Sequence, residues 1–70
     1  MKNNEFGIIL KELRLERKIS QRKLGEYLGV VNQTISFWEI GSREPDLDML
    51  VKISQYFNVS IDYLLGKELI

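Results

Sequence analysis

Apolar side chains recur along this chain at intervals of three and four residues, and no segment alternates with period two for long enough to be a strand. Phe6, Ile9, Leu10 and Leu13 fall on one helical face, which predicts a first helix over about residues 5–17. Ser20 is a helix-capping residue type, and Leu24 and Leu28 form an apolar pair four residues apart behind it. Gly29 supplies the exit from that second helix. A third helix is predicted over roughly 32–40, ending at Gly41. "SREPD" then reads as a loop, with Pro45 as breaker and Asp46 as the next cap. Leu47, Leu50, Val51, Ser54 and Phe57 share the expected core side of a fourth helix, which Asn58 ends. Ser60 caps a short fifth helix through "IDYLL", and Gly66 closes it. The predicted class is all-α, with about five short helices in a single domain over residues 1–70.

Composition narrows what such a domain does. Seventy residues lie near the lower size limit for a core that holds without staples. There is no cysteine, so disulfide and thiolate–metal support are absent, as expected of a cytoplasmic protein. There is no histidine, which removes the usual general base and the commonest metal ligand together. No Gly-rich phosphate loop or catalytically placed carboxylate pair is visible, so the reading is of a non-enzyme with no cofactor, no metal and no evident small-molecule ligand. Apolar runs are only a few residues long and "MKNNEFG" lacks the apolar stretch of a secretory signal, so no membrane association is expected.

The formal net charge is zero, but its distribution is uneven. Residues 1–35 carry seven basic and four acidic side chains, a balance of +3, and residues 36–70 carry the opposite balance of −3. An asymmetric field steers a polyanion where net charge cannot. A solvated surface with accidental clustering explains the same numbers equally well.

The third helix decides between these readings. At about 100° per residue, Val31, Ile35 and Trp38 cluster within roughly 60° and are expected to face the core. Asn32, Gln33, Ser36 and Phe37 occupy the opposite arc. A solvated helix face normally carries Lys, Glu and Arg, which favour helix and solubility. This arc carries short amides and a hydroxyl instead. Asn and Gln can bond bidentately to the N6/N7 edge of adenine, and an apolar group can meet a thymine methyl. Basic groups for phosphates lie next door, on the first two helices.

"SQRKLGEYLGVVNQTISFWEIG" (Ser20 to Gly41), followed by "REPDLDMLVKISQYFNVSIDYLLG", resembles the lambda-repressor/Cro-like helix-turn-helix family of phage repressors and small bacterial regulators. The resemblance runs from about Phe6 to Gly66. Its specific marks are Gln21, Leu24, Gly29-Val30, the run from Gln33 through Trp38-Glu39 to Gly41, and the "NVSIDYLLG" ending. It implies a five-helix lambda-repressor-like domain whose second and third helices form the helix-turn-helix. It further implies a sequence-specific regulator, a repressor by expectation, that binds double-stranded DNA as a homodimer on a palindromic operator.

Carried over by position, the resemblance makes Asn32, Gln33, Ser36 and Phe37 base-contacting. Gln21, Arg22, Thr34 and Arg43 become backbone contacts. Arg14 and Glu39 match a partly buried structural ion pair, and Tyr63 matches a region that often forms the dimer contact. Arg17, Lys18 and Lys23 are open to either a surface or a phosphate role. Ile8 and Leu15, seven residues apart on the outer side of the first helix, read as scattered exposed apolar residues. Two departures stand out. Family members usually carry Ala in place of Gly25, a cost of about 1 kcal/mol in helix propensity. They usually carry Ser or Thr in place of Val31, so the third helix lacks a cap worth roughly 0.5–2 kcal/mol.

One alternative from another class remains: a protein-interaction module, since antitoxins use this fold to neutralise a toxin. Antitoxins usually add a toxin-binding extension, and only four residues follow Gly66 here.

Overall fold

Three of the five helix starts, those of the second, fourth and fifth helices, are held by a side chain three residues upstream of the amide it caps, and their predicted boundaries follow from this. A computed structural model describes residues 4–67. It contains α1 (Glu5–Glu16), α2 (Gln21–Leu28), α3 (Asn32–Ile40), α4 (Leu47–Phe57) and α5 (Ile61–Leu64), with no strand among the described residues. The Ser20 hydroxyl accepts from the Lys23 amide at 3.0 Å and opens α2. Asp46 accepts from Met49 at 2.8 Å to open α4, and Ser60 accepts from Tyr63 at 2.9 Å to open α5. Helix α3 starts at Val31 with no side-chain cap, as its apolar chemistry requires. Gly29 and Gly41 close α2 and α3 at φ 80° and 82°.

The end of α1 carries no glycine signal. Lys18 takes the left-handed conformation at φ 57°, and the chain closes on itself through the Ile19 amide donating to the Arg14 carbonyl at 3.3 Å. A β-carbon makes this conformation unfavourable.

Ten apolar residues, contributed by all five helices, form the core: Phe6 and Leu10 of α1, Leu24 and Leu28 of α2, Ile35 and Trp38 of α3, Leu50, Ile53 and Phe57 of α4, and Leu64 of α5. Helix α3 packs against α1 and α2, α5 against α1 and α4, and α2 against α4. Two long cations tie these packings to helix ends. Lys52 donates to the Leu28 carbonyl at 2.9 Å, and Arg17 to the Tyr56 carbonyl at 3.1 Å. Both carbonyls sit at helix C-termini, where a positive charge is favourable.

Three expectations about the core fail, each for a geometric reason. Val31 is 65% exposed. It is the N-cap, with extended backbone at φ −76° and ψ 157°, so the helical projection that placed it inside does not apply to it. Leu47 and Val51 are 78% and 41% exposed. The buried arc of α4 is centred on Leu50, Ile53 and Phe57, and at about 100° per residue Val51 lies far from that centre.

Gly25 also reads differently in place. It is buried, and a β-carbon there would stand 2.5 Å from the Val30 carbonyl oxygen. Its own carbonyl accepts from both the Gly29 and Val30 amides, at 2.8 and 2.9 Å. The missing side chain is therefore what lets the turn close tightly over α2, and not merely a loss of helix propensity. That turn sets where α3 sits.

Candidate nucleic-acid interface

The outward arc of α3 combines exposed amides with partly buried neighbours. Asn32 and Gln33 are exposed, and among the described residues no side-chain hydrogen bond engages either amide. Ser36, Phe37 and Thr34 are half-buried. The arc thus presents unspent hydrogen-bonding groups at its tip and a partly anchored aromatic one turn further on. Ile40 completes it. This residue is 66% exposed, seven residues after Gln33 and four after Ser36, on the same side of the helix. Sequence reasoning passed over Ile40, although the i+4 and i+7 spacings place it there.

Behind this arc lies a polar network. Arg14 Nε donates to Glu39 Oε2 at 2.7 Å and Arg14 Nη2 donates to Glu39 Oε1 at 3.1 Å. The third guanidinium nitrogen donates to the Ile19 carbonyl at 3.0 Å. Glu39 Oε1 accepts again, from Gln21 Nε2 at 3.0 Å. Asn4 adds a further tie by donating from its side chain to the Glu39 backbone carbonyl at 2.9 Å. One carboxylate on α3 therefore fixes α1 and the first residue of α2 relative to the outward arc. A planar guanidinium meeting a carboxylate with two parallel bonds sets orientation as well as distance.

Gln21 is half-buried at the start of α2, and its amide nitrogen is directed inward at Glu39. Its sequence-based assignment gave it no such partner. The 18 residues separating the two explain why.

The basic residues divide into committed and open ones. Arg14 is buried in its pair, and Arg17 lies over both Tyr56 and Phe57, 5.2 Å from each ring centroid. Arg22 and Lys23 approach Glu26 at 3.9 Å with their side chains 84% and 54% exposed, a loose arrangement that leaves them available to an anion. Lys11 and Lys18 are exposed as well. The positive half of the molecule therefore retains an accessible set of cations on α1, α2 and the turn between them. Arg43, in the loop after α3, is exposed and lies over the Phe37 ring at 5.0 Å. Tyr63 is half-buried on α5, away from this arc in sequence and element. Among the described residues no three His, Cys, Asp or Glu side chains converge as metal ligands, and no helix is long and apolar enough to cross a membrane.

Known proteins share both the sequence and the shape. A family profile described as helix-turn-helix matches residues 10–64. The HTH-type transcriptional regulator ImmR of Bacillus subtilis is 44% identical over 63 residues, covering 90% of this chain and 50% of that protein. The HTH-type transcriptional activator BcrR of Enterococcus faecalis is 43% identical over 67 residues, covering 94% of this chain and 33% of that protein. A crystal structure of the P22 c2 repressor in complex with a synthetic operator is 36% identical, with a TM-score of 0.84, covering 90% of this chain and 96% of that one. The chain spans about half the length of ImmR and of other Bacillus relatives it matches. On sequence and on shape alike, the chain belongs to the lambda-repressor/Cro-like helix-turn-helix family.

Proposed function

We propose that residues 1–70 form a single sequence-specific DNA-binding domain of a transcriptional regulator acting in the cytoplasm, with α3 as the element that enters the major groove. The observation that carries this reading is the outward arc of α3, whose Asn32 and Gln33 amides are exposed and unspent on a helix otherwise anchored from behind by Glu39. Its likeness to an operator-bound repressor supports the same reading. Asn32, Gln33 and Ser36 face base edges in this scheme, and Phe37 and Ile40 offer apolar surface to thymine methyls. Gln21, Arg22 and Thr34 contact the backbone, which positions the helix without reading sequence. The protein carries out no catalysis. It represses by occupying a palindromic operator as a homodimer, with Tyr63 and its surroundings on α5 in the pairing surface.

Selection of bound duplexes from a random pool tests the whole scheme. Two half-sites with centres about 34 Å apart are expected, one helical turn of DNA, because two-fold protein symmetry imposes that spacing. A footprint covering one half-site refutes the pairing, and failure to enrich any sequence refutes the DNA-binding reading.

A further inference from the structure

The C-terminal end of α3 is folded back on itself at one carbonyl. The Phe37 oxygen accepts from the Ser42 amide at 3.0 Å, from the Arg43 amide at 3.4 Å and from the Ser42 hydroxyl at 3.4 Å. These bonds return the loop onto the last turn of the helix. They place the Arg43 guanidinium 5.0 Å from the Phe37 ring centroid. Phe37 is half-buried, whereas Arg43 is exposed.

We infer that Arg43, held over the Phe37 ring, reads a guanine in the major groove and extends the recognition surface beyond α3. This inference rests on the DNA-binding reading above. A guanidinium lying on an aromatic face has one side covered, while its N–H donors stay free along its edge. That edge matches the O6 and N7 acceptors of guanine, which arginine meets with two bonds. A guanidinium fork also meets a phosphate with two bonds, so the choice between base and backbone falls to position. Position agrees with chemistry. Phe37 is four residues after Gln33, so the two side chains are neighbours on the helix surface, roughly 5–6 Å apart at their β-carbons. The ring that holds Arg43 therefore lies one helical turn from Gln33 along the same helix. The sequence resemblance gives Arg43 a backbone role, and the ring beside it is brought there only by the fold of the loop.

The test is selection from a random duplex pool with the full 70-residue chain, run for the wild type, Arg43→Ala, Arg43→Lys and Phe37→Leu. Each variant's melting curve is recorded beside it. The wild type is expected to enrich guanine at one position of each half-site. Arg43→Ala and Arg43→Lys are expected to lose that preference by about 5- to 150-fold while keeping the other positions. Phe37→Leu is expected to weaken the same preference, since it removes the ring and retains the guanidinium. Arg43 is exposed, so its two variants are expected to melt like the wild type. If Arg43→Lys selects the wild-type sequence and Arg43→Ala weakens all duplexes evenly, Arg43 is a phosphate contact and the inference is overturned, with the DNA-binding reading intact. If the wild type enriches nothing, it is the DNA-binding reading that fails.

Discussion

Arg14 and Glu39 meet through two hydrogen bonds, 2.7 and 3.1 Å long, across 25 residues of sequence, with side chains only 9% and 3% exposed. The pair joins α1 to the last turn of α3. Its carboxylate also holds Gln21, so the orientation of α3 against α1 and α2 depends on this one contact set.

Removing one partner leaves the other buried and uncompensated. Arg14→Met or Glu39→Gln is expected to lower stability by on the order of 3–5 kcal/mol in urea denaturation. Replacing both by apolar residues of similar volume is expected to recover much of that loss, because a well-packed apolar pair often matches a buried ion pair. A Glu39→Gln protein that melts at the wild-type temperature and loses only DNA affinity contradicts the structural role.

Lys18 holds a backbone conformation that costs an L-residue about 1–2 kcal/mol. Glycine removes that cost and returns about 0.5–1 kcal/mol through its freer unfolded chain. Lys18→Gly is therefore expected to stabilise the fold by about 0.5–1 kcal/mol, visible as a Tm raised by a few degrees. A lowered Tm assigns the Lys18 side chain a stabilising contact of its own.

Binding is expected to depend steeply on salt in spite of the zero net charge. If each protomer neutralises about three phosphates, a dimer covers about six, and the log–log slope of affinity against salt lies near −5. The exposed Lys11, Lys18, Arg22 and Lys23 supply these charges. Titrations giving a slope shallower than about −2 make those residues bystanders.

Gln33 and Gln21 are expected to fail differently when truncated. Gln33→Ala loses about 1–3 kcal/mol on the preferred operator and relaxes the choice of base at one position. Gln21→Ala weakens specific and random duplexes by similar factors, since a phosphate is the same in every sequence. It also lowers stability, by roughly 1.5–3 kcal/mol at most, because the lost hydrogen bond ends on a charged carboxylate. Comparing both variants on operator, single-base-changed operator and random duplex separates the roles. Even losses for Gln33→Ala across all three move base reading to Asn32, Ser36 or Phe37.

Helix number, order and limits were determined by the sequence alone, because their causes are local. Ser20, Asp46 and Ser60 each cap an amide three residues away, and Gly29, Gly41, Asn58 and Gly66 each take the left-handed conformation where a stop was expected. The outward amides of α3 were legible for the same reason, as helical periodicity alone puts Asn32 and Gln33 on one arc. The family resemblance pairs Arg14 with Glu39, as the structure does. What only the tertiary structure decided depends on packing between distant segments. The arc of α4 that turns inward is chosen by the neighbours that cover it, so Leu47 and Val51 stay outside while Ile53 is fully buried. Val31 leaves the core because a cap residue is extended rather than helical. Gln21 finds Glu39 across 18 residues, and Arg43 finds Phe37 only after the loop has bonded back to the Phe37 carbonyl. Periodicity and capping act over one helical turn, whereas these partners are joined by the path of the chain in space.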